Sequence, residues 1–259
     1  MGIFNEVSQF YQNYGGEKQI IGKSVNGLPI YAFAVTKTAS PIVLVQGAIH
    51  AREFVTAKVV NLLASEFIKS GKQGKVWFLP LINPDGAIIA ESVDGSFKAN
   101  ANGVDLNVNF PARWGKGRQN VFVKDKENFV GEKPLSEPET KALCNFTLKI
   151  KPDMTISYHS KGEEIYYEFY QKGKRRERDA YLADIASKTT GYVVKSIKGS
   201  CGGYKDWCIQ RLKIPALTIE VGNDCLSHPI SLDKAEEIAQ KNSGLIEKLI
   251  EGLLWLKNL

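Results

Sequence analysis

Histidine is scarce in this chain, with three residues in 259. Cysteine is nearly as rare, and Cys144, Cys201, Cys208 and Cys225 show no C-x-x-C spacing, which excludes a zinc knuckle. An even count permits disulfides, but Met1-Gly2-Ile3-Phe4-Asn5-Glu6 lacks a charged n-region followed by an apolar h-region. No signal peptide is therefore expected, and the expected setting is cytoplasmic, with reduced thiols that serve as small packing residues. No apolar stretch approaches the roughly 18–20 residues that span a bilayer, so no membrane partner is expected. A net charge of +6 and a pI near 9.0 suit an anionic partner. There is no aromatic–basic repeat and no long Lys/Arg stripe, which argues against nucleic acid. The one dense basic run, Lys172 to Arg178, reads as a solvated helix start. Internal repeats, low-complexity tracts and linkers are absent too, so one domain over 1–259 is the simplest expectation, of unknown oligomeric state.

Against this scarcity, two of the three histidines stand in metal-ligand settings. His50-Ala51-Arg52-Glu53 is an H-x-x-E pair, and His159 closes an apolar run far downstream. Two imidazoles and one carboxylate form the ligand set of a hydrolytic zinc site, with a position left open for water of lowered pKa. One Zn2+ ion is the expected cofactor. Glu220, in Thr218-Ile219-Glu220-Val221-Gly222, ends another apolar run. A lone carboxylate there costs on the order of several kcal/mol unless it is paired, so a functional role as general base is the better explanation. The alternative for His50 and Glu53 is an exposed helix start with Glu near the positive end of the dipole. For His159 it is a satisfied core histidine. His228, in Ser227-His228-Pro229, reads as a surface loop residue.

Short apolar runs alternate with helical periodicity, the pattern of an α/β/α domain around a mixed, mostly parallel twisted sheet. Gln19 to Ser24 and Ile30 to Val35 flank Val25-Asn26-Gly27-Leu28-Pro29, a hairpin on an Asn-Gly turn. Ile42-Val43-Leu44-Val45 reads as a strand covered on both faces, delivering His50 to the loop beyond its end, where open α/β sheets place ligands. Further strands are expected at Val76 to Ile82, Met154 to His159, Ile165 to Tyr170 and Pro215 to Val221. Helices are expected at Glu53 to Ser70 (Val59, Leu62, Leu63 and Phe67 inward), from a capping box at Ser136-Glu137-Pro138-Glu139 to about Lys149, at Arg178 to Thr189 and at Leu232 to Leu256. Asn83-Pro84-Asp85-Gly86 reads as a turn, and residues 91 to 134 as a long functional loop region.

Several segments in order resemble the zinc metallocarboxypeptidase family. They are Gly47-Ala48-Ile49-His50-Ala51-Arg52-Glu53, Asn83-Pro84-Asp85-Gly86, Gly103-Val104-Asp105-Leu106-Asn107, Tyr158-His159-Ser160, Gly202-Gly203-Tyr204-Lys205-Asp206-Trp207 and Thr218-Ile219-Glu220-Val221-Gly222. The resemblance implies zinc on His50, Glu53 and His159, with Glu220 as general base and proton shuttle. It implies that Lys98, in Phe97-Lys98-Ala99-Asn100, takes the place of an arginine that stabilises the oxyanion; lysine keeps the charge and loses the fork. Arg52 matches a residue that contacts substrate on the non-primed side.

The departures redirect the substrate expectation. The family binds a terminal carboxylate with an Asn-Arg pair, and here Asn107 is followed by Val108, which cannot make a bidentate bond to a carboxylate. The substrate-closing tyrosine falls at Lys198. A subgroup that also lacks the arginine cleaves the γ-D-glutamyl–diaminopimelate amide of cell-wall peptides. The chain resembles it in Asn109-Phe110-Pro111-Ala112-Arg113-Trp114 and in His159-Ser160-Lys161-Gly162-Glu163-Glu164-Ile165-Tyr166-Tyr167. The resemblance implies a small anionic murein peptide as substrate. Lys205, matching the base of the primed-side pocket, is the expected partner of a diaminopimelate carboxylate, with Arg113, Lys161 and Lys198 as alternative cations. Tyr204 and Trp114 are candidates for stacking on substrate or for core packing. The rivals are a carboxypeptidase anchored by Lys198 or Arg113, a deacylase of small N-acyl amino acids, and a binding protein without turnover.

Overall fold

The computed structural model describes residues 1–124 and 126–258. It opens with a helix outside those expected, α1 (Ile3–Asn13), whose Ile3, Val7 and Phe10 recur at helical spacing; Ile3 and Val7 are buried and Phe10 packs against the core. The hairpin follows as expected: β1 (Lys18–Lys23) and β2 (Pro29–Thr36) pair antiparallel around Gly27, whose φ of 85° suits glycine. Then come β3 (Ile42–Gln46), a 3-10 turn at Ala51–Glu53, α2 (Val55–Ser70), β4 (Lys75–Leu79) and α3 (Pro84–Ser92). A second 3-10 turn at Leu106–Val108 precedes α4 (Pro138–Ile150), β5 (Met154–Ser160), β6 (Glu164–Tyr166), α5 (Lys174–Thr190) and β7 (Val193–Lys195). The last part holds the short α6 (Tyr204–Trp207), β8 (Ala216–Val221), α7 (Ala235–Lys241) and α8 (Leu245–Lys257).

Among the described residues, eight strands form one mixed sheet in the order β1-β2-β4-β3-β5-β8-β6-β7, with β4, β3, β5 and β8 parallel in its centre. Side-chain alternation sends two sets of residues to opposite faces. Val43, Val45, Phe78, Ile156 and Tyr158 pack beneath Val59, Leu63 and Phe67 of α2, Leu182 of α5 and Leu249 of α8. Leu44, Trp77, Leu79 and Ala216 face Leu143 and Phe146 of α4 and Tyr204 and Trp207 of α6. Each Val, Leu, Ile or Phe among them contributes roughly 1.5–3 kcal/mol by leaving water. That burial, more than local propensity, holds a helix as polar as α5, whose inward residues are Asp179, Leu182, Ala183 and Ala186. Among the described residues no helix is long and apolar enough to cross a membrane.

Several boundaries differ from expectation. The strand from Val76 stops at Leu79, and Asn83-Pro84-Asp85-Gly86 starts α3 instead of forming a turn. Asn83 Oδ1 accepts from Gly86 N–H at 3.1 Å and Pro84 takes the first helical position, so turn-type residues serve here as a helix cap. The expected strand over Ile165 to Tyr170 ends at Tyr166. The expected helix from Leu232 to Leu256 divides at Asn242 to Gly244, where Gly244 has φ 72° and the Asn242 amide donates to Ile238 O at 2.9 Å. At α4 the N-cap is Glu137 without a side-chain cap bond; the Ser136 hydroxyl donates to the Glu137 carboxylate at 2.6 Å, so no capping box forms. Leu62 of α2 is only partly buried.

Candidate metal centre and active-site cleft

The parallel strands deliver the site. His50 lies just past β3 and leads into the 3-10 turn that ends on Glu53; His159 is near the end of β5, and Glu220 stands beside it in register on β8. His50 Nδ1 is 2.8 Å from Glu53 Oε1, His159 Nδ1 is 3.0 Å from Glu53 Oε2, and the two Nδ1 atoms are 3.2 Å apart. Ligands at zinc's bond lengths of about 2.0–2.2 Å stand roughly 3.3 Å apart at the corners of a tetrahedron, so the donor set and its spacing fit that ion. All three residues are buried. Their support is local: Thr56 Oγ1 donates to Glu53 O at 2.7 Å and accepts from Ala48 N–H at 2.8 Å. Asn83 Nδ2 donates to Ile49 O at 3.3 Å and to Ala99 O at 3.0 Å, tying the histidine loop to the segment that carries Lys98.

Behind His50 sits Asp105, to which the sequence pattern assigned no role. His50 Nε2 is 3.2 Å from Asp105 Oδ1, and Lys98 Nζ is 2.8 Å from Asp105 Oδ2. A carboxylate on the far nitrogen fixes the ring's tautomer so that Nδ1 faces the ligand set. Burial disfavours the charged imidazole of His50, but the Glu53 and Asp105 carboxylates outweigh it and raise its pKa to about 9. His159, more dominated by burial, falls below the ordinary value. Burial opposes ionisation of Glu53, yet the two imidazoles hold its carboxyl well below the usual range. Asp105 is likewise depressed against its burial by Lys98 and His50. Glu220 behaves oppositely: burial, then the Glu53 carboxylate, push it well above the carboxylate range.

A cleft of about 660 Å3 opens over these groups, lined by His50, Glu53 and Glu220. Arg52, Lys98, Asn107, Lys161 and Lys198 also line it. Arg52 Nη2 pairs with Glu127 at 3.0 Å, Lys98 also donates to Asn128 Oδ1 at 2.8 Å, and Lys161 donates to Asp224 O at 2.7 Å. Asn107 Oδ1 accepts from Tyr204 N–H at 3.1 Å, joining the cleft floor to α6. Of the expected site residues, His159 lies beneath this lining with the metal-ligand set, and Lys205, Arg113, Tyr204 and Trp114 lie outside it. Lys205 gives its ammonium to Asp206 at 2.7 Å and to Glu168 O at 2.9 Å. The Arg113 guanidinium lies over the Tyr170 ring at 4.3 Å. Tyr204 is fully buried, its hydroxyl 2.7 Å from Thr147 Oγ1, and it packs with Phe110 and Trp207.

His228, expected on a surface loop, is half-buried in the cleft wall. Tyr166 lines the cleft as well, with its hydroxyl donating to Glu164, which Lys195 also holds. Glu164 pairs with Glu220 across β6 and β8, so Glu164, Tyr166 and Glu220 share one face. The alternation in Glu164-Ile165-Tyr166 was the signal that could have found them. Arg118 enters the cleft from the long loop, where no periodicity announces it.

Fold and site together define a metal-dependent hydrolase. The zinc carboxypeptidase family (peptidase M14) matches residues 12–240, and the chain belongs to it; it is a zinc metallopeptidase-family enzyme. Among its relatives, γ-D-glutamyl-L-diamino acid endopeptidase 1 of Lysinibacillus sphaericus is 25% identical over 87% of the chain, which spans 65% of that protein's length. Murein peptide amidase A of Escherichia coli K12 is 29% identical, over 83% of each chain. The solved murein-tripeptide amidase of Escherichia coli O157 superposes with a TM-score of 0.66 at 25% identity, over 95% of each chain. Bovine thrombin-activatable fibrinolysis inhibitor superposes better, with a TM-score of 0.87 over 100% of this chain and 98% of its own, but at 22% identity it speaks for the fold alone.

Proposed function

We propose that the protein hydrolyses the γ-D-glutamyl–diaminopimelate amide of peptidoglycan-derived peptides. The observation that carries this reading is Val108 in the cleft lining beside Asn107, where a carboxypeptidase needs a guanidinium for the terminal carboxylate. The peptidase and amidase relatives named for murein and γ-D-glutamyl-diamino acid substrates support it. Zinc held by His50, Glu53 and His159 supplies Lewis acidity, acidifying water and polarising a carbonyl.

In this reading Glu220 takes a proton from the attacking water and returns it to the leaving amine, breaking the C–N bond with atoms in balance. Lys98, held by Asp105, provides the cation for the developing oxyanion. Asp105 keeps the His50 ring turned toward the ligand set. Arg52 and Asn107 position substrate along the cleft, with Lys161 and Lys198 at its walls. Lys205, Arg113 and Tyr204 support these walls from behind. We further place the protein in the cytoplasm, acting on released peptides; Cys144, Cys201 and Cys208 buried as free thiols are consistent with a reducing compartment.

The test is mass spectrometry of zinc-loaded protein with L-Ala-γ-D-Glu-diaminopimelate, with Glu220→Gln as control. Release of diaminopimelate by the wild type, reduced at least about a hundredfold in the variant while zinc stays bound, is expected. Trimming of ordinary peptides from the C-terminus, without diaminopimelate release, would assign carboxypeptidase action instead.

A further inference from the structure

The cleft's cations fall into two groups. Arg52 is committed to Glu127, Lys98 to Asp105, and Lys161 to Asp224, whose carboxylate lies 3.7 Å from its ammonium. Arg118 and Lys198 line the same cleft, and among the described residues neither has a carboxylate within 4 Å. They are also neighbours. Arg118 N–H donates to Gly199 O at 2.8 Å, and its side chain lies across Gly199 so closely that a Cβ there would stand 2.8 Å from Arg118 Cδ. Gly199 has φ 87°, so the chain both turns left-handed and leaves room for the arginine stem at the residue after Lys198.

The loop bearing Arg118 is pinned. Gly117 N–H donates to Asn120 Oδ1 at 2.7 Å, Trp114 Nε1 donates to Val130 O at 3.0 Å, and Val121 bridges Phe129. The same stretch that begins at Gly199 reaches Val108 at its other end, where Gly202 lies against the Val108 carbonyl. Both side chains are exposed at the mouth of the cleft, where cations that no carboxylate neutralises attract an entering anion. A guanidinium adds the fork that grips a carboxylate through two parallel hydrogen bonds.

We infer that Arg118, assisted by Lys198, is the anchor for a carboxylate of the diamino acid on the leaving side of the scissile bond. Arg118 reaches this carboxylate from the loop at 111–124, not from the position that Val108 occupies. This inference rests on the proposed function and deepens it, since it names the residue that selects the anionic leaving group.

The test is calorimetric binding of L-Ala-γ-D-Glu-diaminopimelate and of its analogue with both diaminopimelate carboxylates converted to amides. The proteins are zinc-loaded Glu220→Gln with and without Arg118→Gln or Arg118→Lys. Arg118→Gln is expected to weaken the dicarboxylate by on the order of tenfold to a hundredfold and the diamide by less than about twofold, at unchanged zinc content and melting temperature. Arg118→Lys is expected to restore part of the loss. Equal weakening of both ligands, no weakening, or no binding by the Glu220→Gln protein would overturn the inference. Charge-dependent binding without diaminopimelate release by the wild type would overturn only the proposed reaction.

Discussion

Replacing Asp105 by Asn should separate two opposing contributions to zinc affinity. Asp105 is buried, holds His50 Nε2 at 3.2 Å and pairs with Lys98 at 2.8 Å. Loss of a carboxylate behind a ligand histidine weakens metal binding by about 10–100-fold, through poorer ring orientation and lower ligand basicity. The same carboxylate, however, helps raise the metal-free His50 to about 9. A proton must leave that ring before metal binds, which at pH 7 costs the wild type about a hundredfold in apparent affinity. Asparagine relieves part of this competition, because Glu53 remains to favour the imidazolium. The sign follows: wild-type affinity climbs about tenfold per pH unit up to about pH 9 and then levels, while the variant levels earlier. At pH 9.5 the full 10–100-fold loss, about 1.4–2.7 kcal/mol, should be exposed, and at pH 7 the gap should narrow. Competition with a chromophoric chelator across pH 6.5–9.5 measures both curves. Parallel curves, or equal affinities at pH 9.5, would refute the assignment of Asp105 as the residue that sets the His50 ring.

Two further substitutions probe the walls. Tyr166→Phe removes a cleft hydroxyl while leaving the ring, so KM for the murein tripeptide should rise about 3–10-fold with zinc content unchanged; steady-state kinetics alongside metal analysis would show a purely structural role if kcat, KM and zinc fell together. Gly202→Ala would place a Cβ 2.6 Å from the Val108 carbonyl oxygen at a φ of 88°, against Val108 backbone with no flexible side chain to yield. A loss of about 1–3 kcal/mol, seen as a melting temperature lower by roughly 3–10 °C, is expected by calorimetry, and an unchanged Tm would show that this segment relaxes.

The parts of the molecule legible in the sequence are those where one physical requirement acts alone. Central strands buried on both faces read as unbroken apolar runs, and they stop where His50, His159 and Glu220 begin their work. A ligand set drawn from so few histidines leaves little room for misplacement. Where residue types serve two purposes, the pattern misleads: Asn83 and Pro84 suit a turn and a helix start equally, and only the packing of α3 against the histidine turn decides. The cations were the least legible. Lys205 is claimed by Asp206 and Arg113 by the Tyr170 ring, whereas Arg118 reaches the cleft from a loop without periodicity. Which ammonium or guanidinium stays uncommitted depends on acids distant in the chain. Asp105 was hidden differently, within a segment noted for the asparagine two residues on.

His159 and Glu220 are cross-strand partners, so the gap between them is a rung of the backbone ladder, about 4.8 Å from strand to strand. No loop sets that interval. A one-residue slip of β8 would turn Glu220 toward Leu182 and Leu249 on the opposite core, making intermediate spacings inaccessible. Divergence within this scaffold is thereby channelled. The loops at 111–124 and 196–203 can lengthen, shorten or exchange charges and so choose a new leaving group, while the ruler between metal ligand and carboxylate stays calibrated by the sheet itself.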